Sequence, residues 1–359
     1  MSVLYSASLA INTFLVVMAL LNTITIIRPG RTSSESLAFS ILVPCRNEEE
    51  NVVELVKYLG ALDHKQYEVI FINDNSTDGT RQLLLEEISS RSNMTLIDAQ
   101  PLPQGWMGKP WALSQGLASA RFEYVVTVDA DVRLRSDALS AIDAILTRTR
   151  ADFLSPYPAQ IAISLSERLI QPLLQWTWMT TVPLRLAMKS SRPSLAVANG
   201  QLFFIRKSAL LAAGGFESIR ASVLDDIDLA RALIGSGFHG GVCDGSAIAS
   251  TRMYSSFRQI RAGYGKSLAK GFGGMAGSLA LVTVIFISGL LPLIGAVAGS
   301  SIATASLLLV IASRMISALS SRSLMIDALL HPISTIVFIY LLMYSNFSRG
   351  AITWKGRAV

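Results

Sequence analysis

The chain has 359 residues, enough for one large domain or two modest ones. Only 16% of residues are charged against 51% hydrophobic, and mean hydropathy is +0.46, which excludes an ordinary soluble enzyme. Formal charge is +6 with a pI near 9.4. Two cysteines, Cys45 and Cys243, argue against a disulfide framework and suit a reducing compartment. Three scattered histidines (His64, His239, His331) lack the spacing of a zinc site.

From Met1 to Ile27 no residue is charged, and Val3 to Ile27 is long enough to cross a hydrocarbon core of about 30 Å. A secretory signal peptide is the competing reading. It needs a basic start and a shorter apolar run, and neither is present. Arg28 and Arg31 follow the run, while Arg252, Arg258, Arg261, Lys266 and Lys270 precede the next uncharged stretch, Gly271 to Ser313. Positive flanks stay on the cytoplasmic side. The chain therefore reads as an N-terminal anchor (1–31), a cytoplasmic domain (32–270), C-terminal transmembrane segments (271–348) and a basic tail (349–359).

The 271–313 stretch is too long for one crossing and breaks at AGSS, 298–301; Ala328 to Phe347 is a further crossing. Arg349, Lys355 and Arg357 make the tail cytoplasmic in type, whereas three full crossings would leave it outside. That conflict calls for one re-entrant or interfacial segment. Because the positive charges cluster beside apolar runs, the partner they imply is the bilayer surface and not nucleic acid.

Within the polar centre, Leu37 to Val43 reads as a strand ended by Pro44, then a helix opening in Glu48, Glu49 and Glu50 with Asn47 as its cap. Strand 67–72 leads through a polar loop to a helix from about Asp78. Met94 to Ala99 is a third strand, Trp111 to Ala120 a helix, and Tyr124 to Val128 a fourth strand. Residues 168–188, with Pro172, Pro183, Trp176 and Trp178, read as an interfacial helix in competition with a plain core helix. Phe203 to Ile205 is a strand, Ser208 to Ala213 a helix, and VLDDIDLARALIGSGF a helix with acids at its start. Alternating strands and helices predict an α/β domain with a mostly parallel sheet covered on both faces. Ligands in such sheets bind beyond the carboxyl ends of the strands.

Four stretches carry chemistry. Asp74, after an apolar strand in IFINDNSTDGT, suits a nucleobase N–H or a ribose hydroxyl, although a capped turn explains it equally. In VTVDADVRL, Asp129 and Asp131 point to one face of a strand, a costly arrangement unless a cation or a hydrogen-bond network compensates. Mg2+ or Mn2+ with diphosphate oxygens would do so. In QGWMGKPWALSQG, Lys109 can meet phosphate or sugar oxygens, but the spacing is not that of a P-loop. GFGGMAG, 271–277, is no dinucleotide fingerprint, since no strand precedes it. In VLDDIDL, Asp225 and Asp226 open a helix and offer a general base, in competition with simple capping.

VPCRNEEE, NDNSTDGT, VDADV and LDDIDL, in that order, resemble the family-2 glycosyltransferases with a GT-A fold, over most of residues 38–270. GWMGKPWAL, ANGQLFFIRKSAL, TRMYSSF and the tail TWKGR look similar to a bacterial membrane subgroup that includes carotenoid-type (diaponeurosporenoate) and hopanoid-associated enzymes. The resemblance implies a GT-A-type sheet with transmembrane helices at both ends. It implies Asp74 on the uracil of a UDP-sugar with Pro44 and Glu48 shaping that pocket, and Lys109 near the donor sugar. Asp129 would hold the ribose or a water, Asp131 the Mg2+ or Mn2+ on the diphosphate, and Asp226 would be the base. RQIRAGYGKS replaces the Gln-x-x-Arg-Trp of processive members and argues against a polymer synthase; Arg252, Tyr254, Arg258 and Arg261 stay open as diphosphate contacts. The expectation is an inverting, metal-dependent hexosyltransferase of the cell membrane, with a nucleotide-sugar donor (UDP-glucose) and a membrane-lipid acceptor. A catalytically silent scaffold and a lipid-transport subunit are the alternatives.

Overall fold

The computed structural model describes residues 1–30, 35–348, 353–354 and 357–358. Arg31, Arg349 and Lys355, on which part of the topology argument rests, lie outside the described residues. The chain forms two compact units: Ile27–Ala159 with Leu186–Thr251, and Met1–Ile26 with Gln160–Arg185 and Arg252–Val359.

The first unit is the expected α/β domain. Its strands are β1 (Phe39–Cys45), β2 (Tyr67–Asn73), β3 (Met94–Asp98), β4 (Tyr124–Val128), β5 (Val132–Leu134), β6 (Phe153–Tyr157), the two-residue β7 (Ala159–Gln160) at its boundary, β8 (Leu202–Arg206), β9 (Gly240–Asp244) and β10 (Ala249–Thr251). Seven of them make one sheet in the order β3-β2-β1-β4-β8-β6-β9. Pairings are parallel except on both sides of β8, which runs antiparallel to β4 and β6.

Alternation along the strands builds the two faces. Ile41, Val43, Val69, Phe71, Val126 and Val128 pack on one side with Val52, Leu55 and Leu59 of the helix Val52–Gly60. Leu42, Ile70, Ile72 and Val125 pack on the other with Ala112, Leu113 and Leu117 of the helix Gly108–Ser119. Each fully buried Leu, Ile, Val or Phe contributes about 1.5–3 kcal/mol.

Two local expectations are corrected. β1 runs through Pro44 to Cys45, with Pro44 paired in register with Ile72. Its missing N–H is tolerated one residue from the strand end. Asn47 is not a helix cap: it takes a left-handed backbone (φ 52°), its Oδ1 accepts from Thr77 N–H at 2.8 Å, and the helix starts at Val52. Asn tolerates that conformation and favours turns. Glu48, Glu49 and Glu50 therefore form a turn ahead of the helix.

Among the described residues of the second unit, four helices are long and apolar enough to cross a membrane: Ser2–Thr25, Gly274–Val297, Ser301–Ser321 and Met325–Phe347. The expected break at AGSS is where one ends and the next begins. Buried amides hydrogen-bond across these segments, a kind of contact that joins apolar helices. Asn12 Nδ2 donates to Ser288 O, Ser306 O and Ser306 Oγ at 2.9–3.1 Å, and Asn22 Nδ2 to Met179 O and Val182 O. The 168–188 segment is a helix, Leu165–Thr181, that continues through Pro172 and opens on a Ser164–Glu167 capping box. Glu167 also accepts from Arg252, and Tyr254 is buried beside Tyr264. The Arg261 guanidinium lies 5.2 Å from the Tyr344 ring centre.

At Gly240 an added Cβ would lie 2.1 Å from the Phe153 carbonyl oxygen. Gly240→Ala is expected to cost about 2–3 kcal/mol, read as a fall in the melting temperature of the detergent-solubilised protein. Gly235→Ala, where the added carbon meets nothing within 4 Å, should leave it nearly unchanged.

Candidate active site

The site forms where the carboxyl ends of β1, β2 and β4 meet the start of β8. Because β8 is antiparallel to β4, with Val128 opposite Leu202, its first residues lie beside the end of β4. Asp129 N–H donates to Gln201 O at 3.0 Å. The Asn199-Gly200-Gln201 turn ahead of β8 is held by Ser155, whose hydroxyl donates to Asn199 O and accepts from Asn199 N–H. The helix Asp225–Gly235 completes the cluster, its Asp226 carboxylate accepting from Gly200 N–H at 2.8 Å.

Lys109 binds these pieces together. Its Nζ lies 2.7 Å from Asp129 Oδ1 and 3.4 Å from Asp225 Oδ2, and donates to Gly200 O at 3.0 Å. Burial alone would lower the pKa of this lysine. The charges of Asp129, Asp225 and Asp226 outweigh it and hold the ammonium well above the ordinary lysine range. Gly200 permits the close approach: a Cβ there would meet both Asp226 Cβ and Lys109 Nζ at 3.2 Å.

The two aspartates of VDADV differ in environment. Asp129 is compensated by Lys109. Asp131 has a buried Oδ1 with no hydrogen-bond partner, and the nearby Thr251 hydroxyl offsets its burial only in part. Burial, then the charges of Asp129 and Glu48, push the Asp131 carboxyl up to about 6. An orphaned carboxylate oxygen facing two other acids fits a divalent cation. Among the described residues no cluster of three or more His, Cys, Asp or Glu side chains is arranged to ligate one, so further ligands would come from diphosphate and water, as Mg2+ commonly takes them.

Asp226 is buried and loaded from both sides. Its Oδ2 accepts from Gly200 and its Oδ1 from Ile227 N–H at 2.8 Å. Burial and the charge of Asp225 nevertheless push it up to about 6, against the pull of those amides and Lys109.

Of the residues predicted from the sequence, Lys109, Asp129 and Asp226 share one hydrogen-bonded cluster, with Asp131 and Glu48 beside it. Pro44 lies near the end of β1 and Asp74 directly follows β2, its neighbour in the sheet. Asp74 is buried, its N–H donating to Cys45 O and its carbonyl accepting from Arg46. Glu48 accepts from Asn51 and its N–H donates to Thr80 Oγ1. Asn199, Gly200, Gln201 and Thr251 received no role from the sequence. Their only signal was the ANGQ and STR wording, which has no intrinsic chemistry until β8 and β10 bring it to β4 and β5.

Residues 40–212 match the family described as glycosyl transferase family 2. The match takes in a little under half of the chain. The chain is 31% identical over 204 residues, 54% of its length and 41% of the relative's, to a beta-monoglucosyldiacylglycerol synthase of Nostoc sp. strain PCC 7120. It is 32% identical over 111 residues, 31% of its length and 26% of the relative's, to the poly-beta-1,6-N-acetyl-D-glucosamine synthase of Staphylococcus aureus strain COL. The chain thus spans less than half the length of these relatives. In fold it is similar to a mannosyltransferase from Pyrobaculum calidifontis solved with GDP-Man and Mn2+, with a TM-score of 0.55 and 16% identity over 95% of this chain and 96% of that one.

Two outcomes follow. Lys109→Met strands three carboxylates and is expected to destabilise by about 2–3 kcal/mol, less than for a fully buried pair because 28% of the side chain meets water. Asp129→Asn added to it should recover part of that loss in a double-mutant cycle of melting temperatures. The raised carboxyl of Asp131 costs stability above about pH 6 and nothing below about pH 4. In EDTA, Asp131→Asn should therefore melt higher than wild type at about pH 7.5, and the difference should close as the pH falls.

Proposed function

We propose that the protein moves a hexose, glucose from UDP-glucose in the first instance, onto a membrane lipid with inversion at the anomeric carbon. The observation that carries this reading is the separation of roles at one sheet edge: a compensated Asp129, an uncompensated Asp131 and a buried, amide-bound Asp226. Asp74, with Pro44 and Glu48, would hold the nucleobase, and Asp129 the ribose. Asp131 would hold Mg2+ or Mn2+. When bound, that ion neutralises charge on the departing diphosphate. Lys109 pairs with Asp129 and Asp225 and would lie near the donor sugar.

In the transfer, the acceptor oxygen forms a bond to the anomeric carbon as the bond from that carbon to the diphosphate oxygen breaks. The acceptor's proton passes to Asp226, whose raised basicity suits the task. Both of its oxygens accept backbone amides yet keep a further lone pair. If the acceptor is a carboxylate, as in a carotenoid acid, little proton transfer is needed. Support for a lipid acceptor comes from the four apolar helices and from the name of the Nostoc relative. Carotenoid, hopanoid and diacylglycerol acceptors are the ones to compare, with residues 32–270 on the cytoplasmic face.

The test is transfer by purified protein in detergent, with UDP-glucose and GDP-mannose as donors and those lipids as acceptors. Asp226→Asn should lower kcat with a hydroxyl acceptor by about 10²–10⁴-fold. In wild type, kcat/KM should rise with pH through about 6. Full activity of Asp226→Asn with a hydroxyl acceptor would remove it as the base, and absence of donor binding or turnover would favour a silent scaffold.

A further inference from the structure

Contacts within the helical unit fix which helix ends lie together. A Cβ added at Gly295 would lie 2.5 Å from Ala303 Cβ and 2.6 Å from the Tyr5 ring. Asn12 bonds both Ser288 and Ser306, and Asn22 bonds Met179, Val182 and Leu184. The helix Ser2–Thr25 therefore starts at the end of the unit that holds the 298–300 turn and runs away from it. Gly274–Val297 runs into that end and Ser301–Ser321 leaves it. No charged side chain occurs in 1–5 or 298–300.

Met325–Phe347 follows a different course. A Cβ at Gly289 would meet Thr335 Oγ1 at 2.8 Å, and Asn346 Nδ2 donates to Ser278 Oγ at 2.8 Å. Thr335 to Asn346 and Gly289 to Ser278 are each eleven residues, about 16 Å at 1.5 Å per residue. His331–Phe347 thus runs antiparallel to Gly274–Val297 and ends beside its start. There Ser345 Oγ accepts from Ala269 N–H at 2.9 Å and donates to Gly265 O at 2.6 Å. Both partners belong to the helix Phe257–Gly271, which carries Arg258, Arg261, Lys266 and Lys270.

The segment also begins from this charged end. Ser306 is level with Ser288 through Asn12, so Ser321 lies about 22 Å further towards the charged end. From there the 3-10 turn Met325–Leu330 doubles back along Ser301–Ser321. Leu324 and Asp327 line one narrow cleft with Arg314, Ser317 and Ser321. His331 then packs edge-on to Trp176, whose indole N–H donates to Ser313 at 2.9 Å. The chain climbs from the level of Ser321 to that of Ser313, and His331–Phe347 brings it down again.

A turn inside an apolar layer needs its polar groups covered by protein. Asp327 is buried and accepts from Arg168 Nε at 2.8 Å. His331, Ser334 and Thr335 are buried too, while Leu324, Ile326, Leu329, Ile333 and Ile336 are exposed. We propose that Met325–Phe347 enters and leaves the bilayer on one face as a re-entrant hairpin. The unit then crosses three times, through Ser2–Thr25, Gly274–Val297 and Ser301–Ser321. Ser348 lies on the face of Lys270 and Arg322, the cytoplasmic one by the placement of positive flanks, so the basic tail begins on the side its charge requires. A fourth crossing would carry Ser348 to the uncharged end. The hairpin does not depend on the transfer reaction.

The test uses full-length variants in sealed membrane vesicles and a membrane-impermeant maleimide. Cys45 and Cys243 are buried, so wild type gives the background. In inside-out vesicles Lys270→Cys and Ser348→Cys should label about tenfold or more faster than Ala298→Cys, because a hydrocarbon core of about 30 Å separates the two faces. In right-side-out vesicles the order should invert. Ser348→Cys that labels together with Ala298→Cys would make Met325–Phe347 a crossing and overturn the hairpin. If Ser348→Cys labels from neither side, fusions after Val359 in a bacterial host decide: green fluorescent protein should fluoresce and alkaline phosphatase stay inactive, and the reverse would overturn the hairpin. Insertion is read separately from a nitroxide on Ile336→Cys, which oxygen should reach several-fold more readily than a water-soluble nickel chelate does. Equal access by the nickel chelate would put the segment on the membrane surface and overturn the proposal.

Discussion

The site depends on one ammonium group. Three carboxylates, Asp129, Asp225 and Asp226, come from two separate elements and would repel one another in a partly desolvated pocket. The Lys109 Nζ bridges two of them and a backbone carbonyl, at 2.7, 3.4 and 3.0 Å. Strand β4, the turn before β8 and the helix that starts at Asp225 are thereby fixed to one point. Gly200 makes this possible, since any larger residue would sit against both Lys109 and Asp226. The arrangement also decides what the neighbouring acid can do: Asp129 has its countercharge, so Asp131 is left as the group in need of one.

The two units solve the burial of polar groups differently. In the sheet unit, outside Asp131, buried acids such as Glu68 are paired locally: it accepts from Ser40 and Arg121. In the helical unit, neutral amides and hydroxyls cross-link the apolar helices: Asn12, Asn22 and Asn346 each bond to a carbonyl or hydroxyl on another segment. Glu167 and Asp327 are buried there but each has an arginine. Among the described residues of that unit, Arg314 departs from the pattern by being buried, charged and without a hydrogen-bond partner on either terminal nitrogen.

Much of the fold was legible in the sequence because its signals were strong and local. The uncharged runs gave the helices long and apolar enough to cross a membrane, and the apolar strands followed by acids gave the sheet edge. Tyr124–Val128 was read with its true bounds because five consecutive apolar or β-branched residues end in two aspartates. Asn47 and Pro44 were misread for a shared reason: each is compatible with two local roles, and tertiary hydrogen bonds to Thr77 and the register with Ile72 decide between them. The antiparallel insertion of β8 has no local signature, and with it went the roles of Asn199, Gly200 and Gln201. The sequence suggested Lys109 as a donor-sugar contact; the structure adds that it is first of all the bridge between Asp129 and Asp225. The distinction between Asp129 and Asp131 could not follow from spacing, which makes them equivalent.

That distinction is the central claim, and Mn2+ affinity tests it most directly. Binding of Mn2+ in the presence of UDP, followed by electron paramagnetic resonance, should weaken by a hundredfold or so in Asp131→Asn, the loss of a charged ligand being on the order of 3 kcal/mol. In Asp129→Asn it should weaken by less than about tenfold. Equal losses in the two variants, or a larger loss in Asp129→Asn, would contradict the account.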